Sequence, residues 1–315
     1  MRLAPMKPTP RGLWRRTPPA IFPPTLGLLA LGLGWRRAMP VFGLPQGLAE
    51  AVLGAVTLLA LFALLAYAAK ILRRPAAALE DLRILPGRAG LSAAVLCLYL
   101  IALALAPYGA GRAVFWAGVC AHLALTAAMA FLLATGPAEQ RRVTPVWHLT
   151  FTGWIVAALA AQGLGLWALP LFWVGLVAAG MVWALSLAQF LRESVPAPLR
   201  PLLAIHLAPA AVLGTVAQGL GAAGAVQTFA LLSAFGLAVL LLGARWLLAA
   251  RFTPLWGAFS FPLAATAGFW IAHGWTIAGG LLLVAATGAI LPLALRIYRM
   301  WADGQLAVKT NAAIA

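Results

Sequence analysis

Acidic residues are nearly missing from this 315-residue chain: six Asp and Glu stand against 22 Lys and Arg, and charged residues make up only 9% of the whole. A soluble domain carries roughly 25% charged residues, so a water-exposed globular fold is excluded. Cysteine is equally scarce. Cys97 and Cys120 each stand alone in an apolar run, which removes a disulfide framework, a cysteine zinc site and thiol redox chemistry. What fills the chain instead is hydrophobic residues, at 64%. With about 20 apolar residues needed per transmembrane helix, the length holds about ten spans and leaves no soluble domain over.

Apolar runs between charge and Gly/Pro punctuation predict spans at 20–36, 47–72, 90–108, 112–134, 144–163, 166–190, 200–219, 225–249, 252–273 and 276–300. The division is a basic tail at 1–19, a transmembrane body at 20–300 and a short tail at 301–315. The start reads as a retained span and not a cleaved leader, because its basic stretch runs into Pro18, Pro19, Pro23 and Pro24. Nineteen basic residues then fall on one side, including Arg2, Lys7, Arg11, Lys70, Arg88, Arg141, Arg200 and Arg299; only Arg36, Arg37 and Arg112 fall on the other. By the positive-inside rule both termini are cytoplasmic and the number of spans is even. This placement accounts for the net charge of +16 without nucleic acid, and it favours anionic lipid headgroups.

The chain repeats itself weakly. Thr144-Pro145-Val146-Trp147 resembles Thr253-Pro254-Leu255-Trp256, and Pro201 and Pro209 are spaced as Pro254 and Pro262 are. The period of roughly 53–56 residues is that of a two-helix unit, and five units fill the chain. Pro209 and Pro262 fall inside their spans, where proline removes a hydrogen bond and frees the carbonyl four residues back, here Ile205 and Ala258. Irregular backbone is tolerated in lipid only against protein or a watery cavity. The odd-numbered helices are therefore expected inside, lining a pore, and the even ones outside.

Where chemistry could reside is limited. Glu50, Glu80, Asp81, Glu139, Glu193 and Asp303 all fall at span ends or in loops, so the spans lack the carboxylates that mark coupled pumps. No Ser/His/Asp arrangement and no aspartate-rich metal site is present, and neither an enzyme nor a cofactor is expected. His122, His148, His206 and His273 each stand singly on a span; a packing role is the plain reading of each. His148 and His206, with Thr150, Thr152 and Thr215, are also candidates for the pore lining. In Trp256-Gly257-Ala258-Phe259-Ser260-Phe261-Pro262 a ring precedes the bending proline, where the neighbouring unit has Ala208. Such a ring can close a pore by excluding water, and its positive edge tolerates an anion better than a cation.

These residues, with Phe22-Pro23-Pro24-Thr25-Leu26-Gly27 and the hairpin repeat, resemble the tellurite-resistance/dicarboxylate transporter family, which includes the bacterial TehA and the slow-type anion channel of plant guard cells. The resemblance implies an all-α polytopic membrane protein of ten helices, five hairpins around a central pore formed by the odd-numbered helices, assembled as a trimer in a bacterial-type inner membrane. It implies an occluding phenylalanine in the ninth helix, which by position is Phe261, or Phe259 if the helix register differs by two. Phe22, His148, Thr152, His206, Pro209, Phe259 and Pro262 are the lining candidates. The partners expected are small inorganic or organic anions passing an uncharged pore. A coupled carrier of dicarboxylate, sulfite or tellurite oxyanions is the alternative within transport, and a haem- or copper-binding redox protein using the four histidines is the alternative outside it.

Overall fold

A computed structural model describes residues 14–315; Arg2, Lys7 and Arg11 of the expected basic tail lie outside the described residues. All regular structure among the described residues is helical. The principal helices are α1 (Phe22–Val41), α2 (Gln46–Arg73), α3 (Leu85–Ala104), α4 (Gly111–Thr135), α5 (Trp154–Gly163), α6 (Leu169–Phe190), α7 (Leu207–Gly219), α8 (Ala223–Leu242), α9 (Ser260–His273) and α10 (Thr276–Ala302). Among the described residues eight helical segments are long and apolar enough to cross a membrane. The expected spans at 20–36 and 144–163 are not among them: α1 carries Arg36 and Arg37 near its end, and α5 follows a π-helical turn at His148–Thr152 instead of continuing it as one α-helix.

Each odd helix turns back into the even helix after it through a glycine in the left-handed region, at Gly43, Gly109, Gly165, Gly221 and Gly274. Only glycine adopts that backbone without steric cost, so the glycine ending each hairpin fixes where the chain reverses. The five odd helices pack in a closed ring, α1 on α3, α3 on α5, α5 on α7, α7 on α9, and α9 back on α1. Every even helix leans on its own odd partner and on the next one around: α2 reaches α3, α6 reaches α7, α8 reaches α9, and α10 reaches α1. Burial separates the layers. The apolar windows of the segments containing α3, α7 and α9 are 83%, 72% and 61% buried, while those of α2, α4, α6, α8 and α10 lie between 22% and 33%. Because lipid supplies no hydrophobic drive between helices, close contact depends on small residues. Gly175 of α6 lets the helix sit on Ile155, Gly214 of α7 on Phe269, and Gly279 of α10 on Ile271.

The inner helices begin irregularly. Tight 3₁₀ turns at Pro19–Ile21, Ala197–His206 and Pro254–Phe259 precede α1, α7 and α9, and the π-turn precedes α5. The two matching Thr-Pro motifs make the same turn, Trp147 N–H to the Thr144 carbonyl and Trp256 N–H to the Thr253 carbonyl, each at 3.0 Å. α3, whose sequence lacks a central proline, is regular α-helix throughout. The prolines act differently from the expected mid-helix kink. Pro24, Pro209 and Pro262 each occupy the third position of an α segment, where a backbone N–H has no intrahelical acceptor to lose. The break is the turn before them, and the carbonyl of Ile205 is approached by the Leu207 N–H and is not left free.

α1 and α9 share the most extensive contact of any two helices. A Cβ on Gly27 would collide with the Cβ, Oγ and backbone of Ser260, whose hydroxyl donates toward the carbonyls of Gly257 at 2.6 Å and Pro23 at 3.0 Å. Overpacking typically costs 1–3 kcal/mol, and here backbone obstructs any relief. Gly27→Ala is expected to lower the unfolding temperature of the detergent-solubilised protein clearly, whereas Gly180→Ala, at a site with open space around it, is expected to leave it unchanged.

The long connection after α2 holds a short helix, Ala76–Arg83, and a last helix, Gln305–Lys309, folds back beside the start of the chain. Thr17 and Pro19–Ile21 are buried, as are Leu306 and Thr310, so residues on both sides of the transmembrane body pack onto it.

Candidate pore

Two cavities lie on the ring axis. The wider, of ≈ 810 Å³, opens at the C-terminal ends of the inner helices, between residues such as Leu33 and Arg37 of α1, Leu103 of α3, Gln162 of α5, Thr215 of α7 and Ala264 of α9. All five inner helices contribute. The narrower offers ≈ 30 Å³ at the opposite, more basic end, bounded by Pro23, Ala93, Leu149, Leu202, Ala258 and Pro262. Roughly one probe sphere is needed to admit a water molecule, so this side holds a couple of waters at most. Phe261 is the residue common to both linings. It is 7% exposed and sits on the second residue of α9, placed there by the 3₁₀ turn ahead of it.

The remaining candidates are placed as follows. Pro262 borders the narrow cavity. Phe259 lies outside both linings, against Trp256 with ring centres 6.4 Å apart. Phe22 is fully buried and turned toward α2, edge-on to Tyr67 at 5.9 Å; Pro23 and Leu26 face the cavity instead. Pro209 is buried away from both cavities. His148, Thr152 and His206 form a cluster behind the lining: His148 Nδ1 lies 3.0 Å from Thr152 Oγ1, and its Nε2 lies 2.9 Å from His206 Nδ1. These two histidines are thus partners on adjacent inner helices, not single groups. They satisfy one another, and among the described residues no third ligating side chain completes a metal site. His122 is stacked on Trp154 at 4.0 Å and bonded to the Thr150 carbonyl at 2.8 Å, a packing role, and His273 contacts Trp275 and Phe269.

The expectation of an uncharged pathway is corrected by α1. Arg36 and Arg37 both line the wide cavity. Arg36 is neutralised by Glu50, Nε and Nη2 each at 2.6 Å from a carboxylate oxygen, and also donates to the Leu103 and Ala104 carbonyls of α3. Arg37 donates to the Gly268 carbonyl of α9 at 3.0 Å and makes no ion pair among the described residues. It gives the vestibule an uncompensated positive charge. No acidic side chain borders either cavity among the described residues.

Two polar residues absent from the sequence reading complete the wall. Gln162 of α5 donates to the Val216 carbonyl of α7 at 2.7 Å, and Gln218 of α7 donates to the Ala272 carbonyl of α9 at 2.6 Å. Donor and acceptor both shift by one repeat between the two bonds. With Arg36 and Arg37, they stitch four of the five seams between neighbouring inner helices.

The five-helix ring thus holds a wide, basic vestibule and a narrow cavity, with Phe261 bordering both. The family model described as SLAC1, voltage-dependent anion channel, matches residues 16–298. The chain belongs to this family. Comparison with curated proteins gives no match. As a member of the voltage-dependent anion channel family it is a multi-pass helical membrane protein of the channel and transporter class.

Proposed function

We propose that this protein passes small anions along the axis of the inner ring, that Phe261 closes the path, and that both termini are cytoplasmic, with the wide vestibule facing away from the cytoplasm. The observation that carries the reading is the position of Phe261, which alone borders both the open vestibule and the nearly closed cavity beyond it. Carriage coupled to protons is disfavoured, because no carboxylate borders the two cavities among the described residues and a relay needs one. The odd α segments run toward the vestibule, so their negative dipole ends gather there, and Arg37 offsets them. A trimer with one path per subunit remains part of the proposal on the strength of the resemblance.

The test is ion selectivity in planar bilayers. Across a potassium chloride gradient the reversal potential is expected to follow chloride; a potential that follows potassium overturns the anion reading. Arg37→Gln is expected to reduce chloride conductance about fivefold in dilute salt. A unit charge near 4 Å is worth ~1 kcal/mol even in water, which is about that ratio. At 1 M salt, where screening acts over roughly 3 Å, the loss should largely vanish.

A further inference from the structure

The first and last hairpins close the ring at one seam, and a crevice of ≈ 740 Å³ opens there between α2 and α10. Its inner wall is apolar, built from Leu59, Phe62 and Leu295, and its rim carries Arg15, Arg16 and Arg299. Aromatic rings span the gap: Trp14 meets Phe62 at 6.0 Å and Phe62 meets Trp301 at 5.7 Å. None of the three arginines pairs with an Asp or Glu side chain among the described residues. Arg15 uses Nη1 on an oxygen of Ala315, the last residue of the sequence, at 3.2 Å; the Nε–H groups of Arg15 and Arg16 are turned into the protein, which leaves the guanidinium ends to face the rim. Trp14 is held at a φ of 65°, a conformation uncommon for a bulky residue.

Among the described residues Arg16 and Arg299 thus stand without a counter-charge at the mouth of an apolar slot, beside Arg15, whose Nη1 is on Ala315. A free phosphate would answer the arginines and leave the slot bare. An uncharged lipid would fill the slot and leave the positive rim without an anion. Arginine pairs with phosphate through several parallel bonds, and interfacial tryptophans sit at headgroup depth. We propose that this crevice binds one anionic phospholipid, with its phosphate on Arg15, Arg16 and Arg299 and an acyl chain along Leu59, Phe62 and Leu295.

The full chain, stripped of lipid and returned to phosphatidylcholine vesicles with a minority of phosphatidylglycerol, should retain one phosphatidylglycerol per chain in native mass spectrometry. R15Q/R16Q/R299Q is expected to lower that retention about tenfold or more, the scale of losing several charge-assisted bonds, while R192Q/R251Q retains it. Equal retention by the two variants, or equal retention of phosphatidylcholine, overturns the proposal. Displacement of the lipid by millimolar inorganic phosphate would reassign the site to free phosphate and overturns it too. Should the triple variant fail to fold, photoreactive phosphatidylglycerol on the wild-type chain decides: crosslinks confined to residues 14–17, 59–62 and 295–307 support the site, and crosslinks spread over all outer helices refute it.

Discussion

Phe261→Ala is expected to raise anion conductance at least about tenfold. The argument begins with the asymmetry of the path. On one side of the ring lies space of ≈ 810 Å³, on the other ≈ 30 Å³, so on the proposed path the phenyl group stands between a wide cavity and one with room for a couple of waters. An apolar constriction blocks ions by shedding water and not by binding, and a tenfold change in rate needs only ~1.4 kcal/mol off the barrier. Truncation to alanine removes the whole obstructing ring. A buried Phe→Ala change ordinarily costs about 3–5 kcal/mol of stability, but Phe261 has a cavity on either side, so little packing is left unmet and the variant should fold. Phe259→Ala is the matched control, because that ring faces Trp256 and neither cavity; its conductance is expected to stay at the wild-type level. Bilayer recording with a chloride gradient checks both. If Phe261→Ala conducts no more than the wild type, the ring is not the barrier.

How far the sequence reached depends on what kind of signal each feature leaves. Long apolar runs and the side on which Arg and Lys collect survive any rotation of a helix about its axis, so the two-layer bundle and its hairpins were legible. Proline and glycine mark backbone geometry directly. Thr144-Pro145 and Thr253-Pro254 therefore pointed to equivalent turns, whereas the inner position of the odd helices was argued from kinks at Pro209 and Pro262 that the structure replaces with 3₁₀ turns ahead of them. Which side chain faces the axis is another matter. The inner helices are apolar on nearly all sides, so their sequences carry no periodic contrast between pore and protein. Phe22, Pro209 and His206 were accordingly assigned to the lining although they pack behind it. Arg36 and Arg37 were read as topology and not as vestibule because a count by side ignores depth. One usable signal was passed over: aligning α5 with α7 at the repeat spacing superimposes Gln162 on Gln218, and two amides at matched positions near the mouths of inner spans would have identified the stitch. The pairing of His148 with His206 needed the same alignment together with the irregular turns, which shift the register by a residue or two.

The second large effect concerns the basic end. Lys70 and Asp81 are both fully inaccessible to solvent. Asp81 Oδ2 accepts from Lys70 Nζ at 2.7 Å and from the Tyr67 hydroxyl at 2.8 Å, Oδ1 accepts the Ala313 N–H at 2.8 Å, and Lys70 also reaches the Thr17 carbonyl at 3.1 Å. The Asp81–Lys70 pair therefore ties together α2, the helix Ala76–Arg83, the backbone at Thr17 and the folded-back segment at Ala313. Asp81→Ala would leave a buried ammonium, a hydroxyl and an amide without their acceptor, and breaking such a pair costs about 3–5 kcal/mol. The variant is expected to lose most of its folded yield after extraction in detergent, measured by size exclusion and thermal unfolding. Glu193→Gln, which breaks the exposed pair with Arg142, should be silent, since pairs in water contribute at most about 1 kcal/mol. Removing the polar hub altogether is a different experiment: Tyr67→Phe, Lys70→Met and Asp81→Leu combined should recover much of the loss, because apolar replacement of a buried pair is often neutral. The consequence extends to the path. Tyr67 packs edge-on against Phe22, whose neighbour Pro23 borders the narrow cavity, and Arg88, at the start of α3 with Pro86 and Ala89 of the same cavity wall, donates to the Leu82 carbonyl at 2.8 Å. If the rescued triple variant folds but conducts like Phe261→Ala, the polar hub holds the narrow end shut; if it conducts like the wild type, the hub serves stability alone.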